Sequence, residues 1–256
     1  MSTTSGRATE PSFAGGAWVV ACREAGAYLD ARIAAVTTCA FVVLVNAIFM
    51  NEFFLNGVVG MDAYFRVVPL LLPFFLAAVT MRLFAEERKT RTLELLLTLP
   101  VVPAQVVLGK FVAAFLLVGM FLLGALPIVV MLCALGDPDL GLVFGGMIGI
   151  VLASSVLIAL GMFVSALVTD QIVAFVVTAV CGVVLVLLGN DAVVAVLDGL
   201  APTAAVGTLL KDAIALLPHL EASARGELHA SAFVHAIAFS AAFLWSTTRA
   251  LERARA

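Results

Sequence analysis

The sequence predicts an all-α polytopic membrane protein with six transmembrane helices, an N-terminal interfacial helix and a short helix between the second and third spans. Of its 256 residues, 63% are hydrophobic and only 12% are charged, and the mean hydropathy is +1.17. A soluble domain is about 45–50% apolar and about a quarter charged. This chain therefore has too little polar surface to enclose its apolar residues in water. The apolar residues also fall into long uncharged runs, which is the second observation behind the prediction.

Six uncharged runs are each long enough to cross a bilayer, because about 30 Å of hydrocarbon takes about 20 helical residues. Charged or turn-forming residues bound every run. The runs are residues 33–50, 67–84, 111–135, 140–169, 172–189 and 231–248. They divide the chain into an N-terminal segment at 1–32, a transmembrane domain at 33–248 and a basic tail at 249–256.

Lys and Arg are distributed unevenly between the two sides of the predicted bundle. Six spans place both termini on one side, and that side receives 11 of the 14 Lys and Arg residues. Because cytoplasmic flanks carry the excess of basic residues, we expect both termini to be cytoplasmic. The formal net charge of −3 provides no basic face for a phosphate backbone, so nucleic acid is not expected as a partner.

The N-terminal segment contains a predicted amphipathic helix over residues 14–30. Trp18, Cys22, Ala25 and Leu29 recur there at helical spacing. This pattern is typical of a helix that lies in the cytoplasmic interface of a membrane. A loosely ordered connection to the first span is the alternative.

The outer segment, residues 190–230, is moderately apolar but is interrupted by Pro202, Gly207, Pro218 and Gly226. Its apolar runs are too short to cross a bilayer. We therefore expect short outer-leaflet or re-entrant helices there instead of a seventh span.

The segment between the second and third spans is the most charged part of the chain. Six of the ten residues at 82–91 are charged. Residues 92–100 then form a predicted short helix that Pro100 ends. Three leucines share one face of it, namely Leu93, Leu96 and Leu97. Burying a leucine contributes about 1.5–3 kcal/mol, so this face needs lipid or another protein as a partner.

A known family has a similar signature in this region. The residues that carry the similarity are Met81-Arg82, Ala85-Glu86-Glu87-Arg88, Thr92-Leu93-Glu94-Leu95-Leu96-Leu97-Thr98, Pro100-Val101 and Val107-Leu108-Gly109-Lys110. The run resembles the signature of ABC-2-type permeases, particularly the branch of gliding-motility and nitrous-oxide-reductase-maturation permeases. Relatives usually have Gly where this chain has Arg91. A positive-φ turn at that position costs about 1 kcal/mol without glycine.

The resemblance implies a coupling segment at residues 86–103 whose helix sits in a groove of a separate ATPase subunit. The residues expected to couple to the ATPase are Glu86, Glu87, Arg88, Thr92, Leu93, Glu94, Leu96, Leu97 and Pro100. It also implies a half-transporter of a bacterial inner membrane that pairs with a copy of itself or with a second permease. Two cytoplasmic ATPase subunits would bind this dimer and drive export, and a periplasmic accessory protein is a further partner that the resemblance allows.

The chain is not expected to hydrolyse ATP itself. The pattern GxxxxGK[ST], which holds phosphates in P-loop enzymes, is absent, because Gly109-Lys110 is followed by Phe111. Hydrolysis therefore belongs to the partner subunit. We expect no cofactor and no metal, since the three histidines are not spaced as ligands.

A stripe of small residues and one polar residue within the spans each have two possible interpretations. Gly141, Gly145, Gly149 and Ala153 form successive small-xxx-small steps in the fourth span. Such steps allow close helix packing, either within the chain or at a dimer interface. Asn46 in the first span is expected to form an interhelical hydrogen bond, with substrate contact as the alternative.

Two other classes of function are compatible with the composition. An ATP-independent secondary transporter or channel needs ionisable groups near the midplane, and the spans have almost none away from their ends. A membrane assembly or scaffold subunit fits the composition equally well.

Overall fold

The computed structural model describes residues 13–30, 32–91, 102–200 and 205–255 of the chain, in which the regular elements are all helices. They are α1 (Phe13–Asp30), α2 (Arg32–Asn56), α3 (Asp62–Thr80), α4 (Ala85–Lys89), α5 (Pro103–Leu123), α6 (Leu126–Leu135), α7 (Leu140–Leu167), α8 (Gln171–Leu187), α9 (Asp191–Leu200), α10 (Val206–Ile214), α11 (Leu217–Ala224) and α12 (Ala230–Arg255). The predicted all-α class is confirmed.

Within the described residues, five helical stretches are long and apolar enough to cross a membrane. They are Ala34–Asn56, Asp62–Lys89, Pro103–Leu135, Leu140–Leu167 and Ala230–Arg253. Helix α8, which corresponds to the predicted fifth span, has 17 residues and meets the criterion only together with α9. These two helices meet at an angle of 87°. The number of spans is therefore six if the bent pair counts as one.

The third span is longer than predicted, because its helix begins at Pro103 instead of residue 111. Its 33 residues extend over about 50 Å at 1.5 Å per residue. This is about 20 Å more than the hydrocarbon core requires. The first turns of α5 therefore have room to project beyond the hydrocarbon, and α1 packs against them.

A break between α5 and α6 interrupts this long span just before Pro127, which has no backbone N–H to donate. After the break, the amide of Ile128 donates to the carbonyl of Ala125. The Asn46 side chain on α2 donates instead to the carbonyl of Gly124, at 3.0 Å. The interhelical hydrogen bond predicted for Asn46 is thus present, and it pairs a carbonyl at the break.

Helix α7 is the central helix of the bundle, and α3, α8, α11 and α12 all pack against it. On its α3 side, Gly146 lies directly under the ring of Phe65, with no space for a Cβ atom. On its α12 side, the Ser240 hydroxyl donates to the Ser155 hydroxyl at 3.1 Å. Small residues and one hydroxyl pair therefore let neighbouring helices come close to α7.

The predicted small-residue stripe lies on the first half of α7. A Cβ atom at Gly145 would lie 2.5 Å from the carbonyl oxygen of Ser223, and one at Gly149 would lie 2.9 Å from the Ser223 Cβ. Both glycines therefore contact α11 of the same chain. Gly141 lies beside the carboxylate of Asp139 at the start of α7, and Ala153 is buried.

The outer segment folds into the three short helices α9, α10 and α11. Asp198 at the end of α9 accepts hydrogen bonds from the amides of Gly207 and Thr208 at the start of α10, at 2.6 and 3.2 Å. Lys211 on α10 pairs with Asp191 on α9 at 2.5 Å. These polar contacts pair α9 with α10, so the expectation of short helices in this segment is met.

We expect Gly145→Ala to destabilise the protein by about 1–3 kcal/mol, because the new methyl group meets the backbone of α11. The measurement is unfolding of the purified protein in sodium dodecyl sulfate, followed by circular dichroism. Gly119→Ala on α5 is the matched control, since nothing lies within 4 Å of its Cβ position. Equal stability of the two variants would contradict the close contact between α7 and α11.

Candidate functional site

Five charged side chains meet at one end of the bundle, where α1, α5 and the end of α3 with α4 come together. We call them the charged cluster: Glu24, Arg82, Glu86, Glu87 and Lys110. Lys110 is only 2% exposed. Its ammonium group donates to the Glu87 carboxylate at 2.7 Å, to the carbonyl of Leu83 at 2.9 Å and to the Glu24 carboxylate at 3.5 Å. These three contacts use all three protons of the ammonium group.

The position of Lys110 explains why so many acceptors surround it. The residue lies two turns into an otherwise uncharged helix, where an unpaired charge costs several kcal/mol. The ring of Phe84 also lies 5.2 Å from the ammonium nitrogen, which adds a cation–π contact. Burial of this lysine is therefore possible only while α1 and α4 stay against α5.

The second ion pair of the charged cluster joins Arg82 to Glu86. The guanidinium donates twice to the carboxylate, at 2.7 and 3.1 Å, across the turn between α3 and α4. The two side chains are 31% and 41% exposed, so the pair contributes at most about 1 kcal/mol. It links the end of α3 to α4.

Ser165 near the end of α7 holds the turn between α3 and α4. Its hydroxyl accepts hydrogen bonds from the amides of Phe84 and Ala85, each at 3.1 Å, and donates to the carbonyl of Met81 at 3.1 Å. One donor and two acceptors are the full capacity of a hydroxyl group. The sequence gives no local sign of this role, since Ser165 is one of several small residues in an uncharged span.

Lys110 was also not among the predicted coupling residues, although a signal for it existed. It begins an apolar run and a single lysine in such a position must find partners. The residues that could pair with it were visible as Glu86 and Glu87 in the preceding charged run. The contribution of Glu24 depends on the packing of α1, which no local pattern predicts.

Close packing of α1 on the first half of α5 brings Glu24 to the cluster. A Cβ atom at Gly109 would lie 2.7 Å from Val20, and one at Gly16 would lie 2.8 Å from the amide of Gln105. The Gln105 side chain donates to the carbonyl of Phe13 at 3.3 Å. Glycine on each helix thus permits the approach, and α1 becomes part of the site.

A cavity of about 260 Å³ adjoins the charged cluster. All five cluster residues line its polar end, together with Tyr28. Small or apolar side chains line the rest, among them Ala34, Ala78, Val79 and Leu117. The cavity is therefore polar at one end and apolar at the other.

The structure describes only some of the predicted coupling residues. Glu86, Glu87 and Arg88 lie on α4, and the first two belong to the charged cluster, whereas Arg88 is partly buried beside it. Six others lie outside the described residues, namely Thr92, Leu93, Glu94, Leu96, Leu97 and Pro100. The predicted stripe from Gly141 to Ala153 lies on the opposite half of α7 from Ser165 and is not part of this site.

Arg91, the last described residue before this gap, has a left-handed backbone conformation with φ 58°. The resemblance described above implies glycine at this position. The conformation costs a non-glycine residue about 1–2 kcal/mol. The turn expected after the charged run is therefore formed despite the missing glycine.

Within the part of the chain that the structure describes, no three His, Cys, Asp or Glu side chains converge as a metal site requires. The rings of His219 on α11 and His235 on α12 lie 4.7 Å apart. Burial lowers the pKa of His219, and the nearby His229 lowers it further. These histidines thus contribute to the packing of the outer segment.

Comparison with known families finds a match at residues 44–220, to the family described as ABC-2 family transporter protein. The match covers 177 of the 256 residues. It begins in α2, includes Arg82, Glu86, Glu87 and Lys110, and ends in α11. No curated protein matches the chain.

We expect Lys110→Met to destabilise the protein by about 3–5 kcal/mol, because it removes a buried cation from its contacts with the Glu87 carboxylate and the Leu83 carbonyl. Adding Glu87→Gln should recover part of this loss. The free energy of unfolding in detergent is the measurement. Lys211→Met is the matched control, since its partner Asp191 is 91% exposed and solvent screens the pair. Similar losses at Lys110 and Lys211 would contradict the buried role of Lys110.

We expect Arg91→Gly to stabilise the protein by about 1–2 kcal/mol, because glycine adopts positive φ without strain. Arg91→Ala removes the same charge but keeps the strain, so it should give no comparable gain. Lys89→Gly, in the helical part of α4, should instead cost about 1 kcal/mol. Melting temperatures of the three variants test the turn, and equal values for Arg91→Gly and Arg91→Ala would refute it.

Proposed function

The chain belongs to the ABC-2 transporter family, and from this premise we propose that it is an exporter permease moved by an ATPase that binds residues 86–103. As a member of this family it is a membrane transport component and not itself the ATPase. The direction of transport and the place where the ATPase binds are the parts that we propose.

The observation that carries the proposal is the ion pair between Glu87 and Lys110 at 2.7 Å. Glu87 precedes the leucine-rich stretch at 92–100 and Lys110 follows it. A force on this stretch therefore acts on both sides of the same buried ion pair. Through it, the force reaches α3 by way of α4, and α5 directly.

Three further features support this assignment. Ser165 connects the turn before α4 to α7, so a movement of α4 also reaches the central helix. The sequence has no phosphate-binding loop, which agrees with ATP hydrolysis in another subunit. The excess of Lys and Arg on the side of residues 82–91 supports a cytoplasmic position for this segment and for both termini.

The complete assembly in this proposal lies in a bacterial inner membrane. It contains two permease chains, either identical or paired with a second permease, and two ATPase subunits. Closure of the ATPase subunits on ATP moves the coupling segments, and that motion opens the pathway for export. A periplasmic accessory protein is compatible with the outer segment but has no further support in the described residues.

The two alternative functions make different demands on the spans. A secondary transporter needs buried ionisable groups near the midplane. In the described residues, Lys110 is the one charged side chain among the buried polar residues, and it lies near the end of its span. Measuring substrate flux distinguishes a scaffold subunit from a permease. Mutation of a scaffold disrupts complex assembly, whereas mutation of a permease also reduces flux.

We expect Leu97→Glu to abolish copurification of the ATPase while membrane insertion is unchanged, because a charge on the apolar face prevents its burial. The measurement is affinity purification of the tagged permease, with the ATPase that copurifies with the wild type as readout. Leu96→Glu should act in the same way. Leu209→Glu on α10, where the leucine is 63% exposed, is the matched control and should retain the ATPase.

Two outcomes would overturn this proposal. One is full recovery of the ATPase with both leucine variants. The other is labelling of a cysteine at position 98 by a membrane-impermeant reagent added to intact cells, tested in a variant without the four native cysteines. Either result would show that the leucine face does not bind a cytoplasmic ATPase.

A further inference from the structure

The cavity beside the charged cluster has the form of a small binding site with two unlike ends. Side chains from α1, α2, α3, α4 and α5 enclose its volume of about 260 Å³. Pockets for drug-sized ligands usually measure about 300–1,000 Å³. The cavity therefore admits the polar head and the first carbons of an amphiphile, and not a whole lipid.

At the polar end of the cavity, the cations and the carboxylates differ in how many hydrogen-bond positions they have already used. Lys110 already uses all three of its protons on Glu24, Glu87 and the Leu83 carbonyl. Arg82 directs two of its donors at Glu86. A carboxylate has about four acceptor positions, and Glu24 accepts one contact each from Lys110 and Arg23. Glu24 thus keeps free acceptor positions where Lys110 has no donor left, while Arg82 keeps three of its five N–H donors.

The formal charge of the lining points in the same direction. Three carboxylates and two cations line the cavity, which leaves one negative charge in excess. Arg23, which also pairs with Glu24, is 59% exposed and is not part of the lining. An ammonium head group therefore offsets this excess charge, whereas an anionic head group adds to it.

The wall beyond the charges is apolar and lies at the start of the spans. Ala34, Val79 and Leu117 are each less than 10% exposed and form one small apolar cluster. Tyr28 packs on this cluster and also lines the cavity. Burial raises the pKa of its phenol, and the Glu24 carboxylate raises it further, so the hydroxyl stays neutral. The alkyl chain of a ligand can therefore lie against this wall without contacting a charged group.

We propose that this cavity binds the head of an amphiphile that carries an ammonium group. The ammonium lies against Glu24 and Glu86, and the first carbons of its chain lie between Ala78 and Leu117. Binding itself does not depend on the ATPase. Placing the site in the cytoplasmic leaflet, where it would take its ligand from the membrane, rests on the proposed function.

The test measures the melting temperature of the purified permease in a non-ionic detergent, without ATPase, as n-hexylammonium is added at neutral pH. Hexanol and hexanesulfonate supply the same chain with a neutral and an anionic head. An alkylamine keeps its charge at this pH, since its pKa is close to that of lysine, about 10.4. We expect saturable stabilisation by hexylammonium alone.

Two variants separate the polar end from the apolar end. Glu24→Gln should weaken the apparent affinity for hexylammonium about tenfold, as expected when a charged hydrogen-bond partner is lost. Glu252→Gln, at the exposed end of α12, is the matched control and should change nothing. Ala78→Leu should abolish the saturable effect by filling the cavity, whereas Ala35→Leu on the exposed face of α2 should keep it.

Equal stabilisation by hexanol or hexanesulfonate would overturn the proposal, and so would an unchanged affinity in Glu24→Gln. If Ala78→Leu does not fold, the comparison of Glu24→Gln with Glu252→Gln decides alone. Loss of the ATPase in the Leu97→Glu variant leaves this measurement unaffected. The two proposals therefore fail independently.

Discussion

An ammonium group that is only 2% exposed needs acceptors on every side, because water cannot supply them. For Lys110 these acceptors come from three places in the chain: Glu24 on α1, Glu87 on α4 and the backbone of Leu83 in the turn before α4. Each is brought there by a different packing contact. The satisfaction of one buried charge thus requires the N-terminal helix, the second span and the third span to assemble together at one end of the bundle.

The length of the third span explains how a charged site can exist in a bundle made almost entirely of apolar helices. The third span has 33 residues, and about 20 are enough to cross the hydrocarbon. The surplus gives α1 a surface on which to pack, with Gly16 and Gly109 permitting the close approach. Charges that would be costly at the midplane are tolerated at this end, where they pair with one another.

Much of the fold follows from the sequence, because the positions of the spans depend on local composition. The runs predicted at 33–50, 67–84 and 140–169 correspond to α2, α3 and α7. The predicted third span begins eight residues after the start of α5, because Lys110 resembles a span boundary in sequence although it is buried in the structure. Gly189 and Asn190 mark the break between α8 and α9, but no local pattern predicts its angle of 87°.

The site was predictable only in part, for a physical reason. The charged run and the leucine face are contiguous in sequence, so a pattern reveals them. Ser165 and Glu24 act over 80 and 86 residues of chain, through packing that joins α7 and α1 to the cluster. Their role depends on which helices become neighbours. An isolated serine in an apolar span does not indicate which helix it will contact.

In the proposed mechanism, transmission through this site does not require the leucine-rich stretch to have a particular shape. Its two ends are fixed at described residues, Arg91 after α4 and Val102 before α5. The Glu87–Lys110 pair joins those two sides at 2.7 Å, and the Val102 amide donates to Gln105 at 3.0 Å. A force on the stretch that moves α4 therefore also acts on the buried lysine of α5. All three donors of that lysine are already used. The helices around it must therefore move together, or the ammonium group must lose one of its hydrogen bonds.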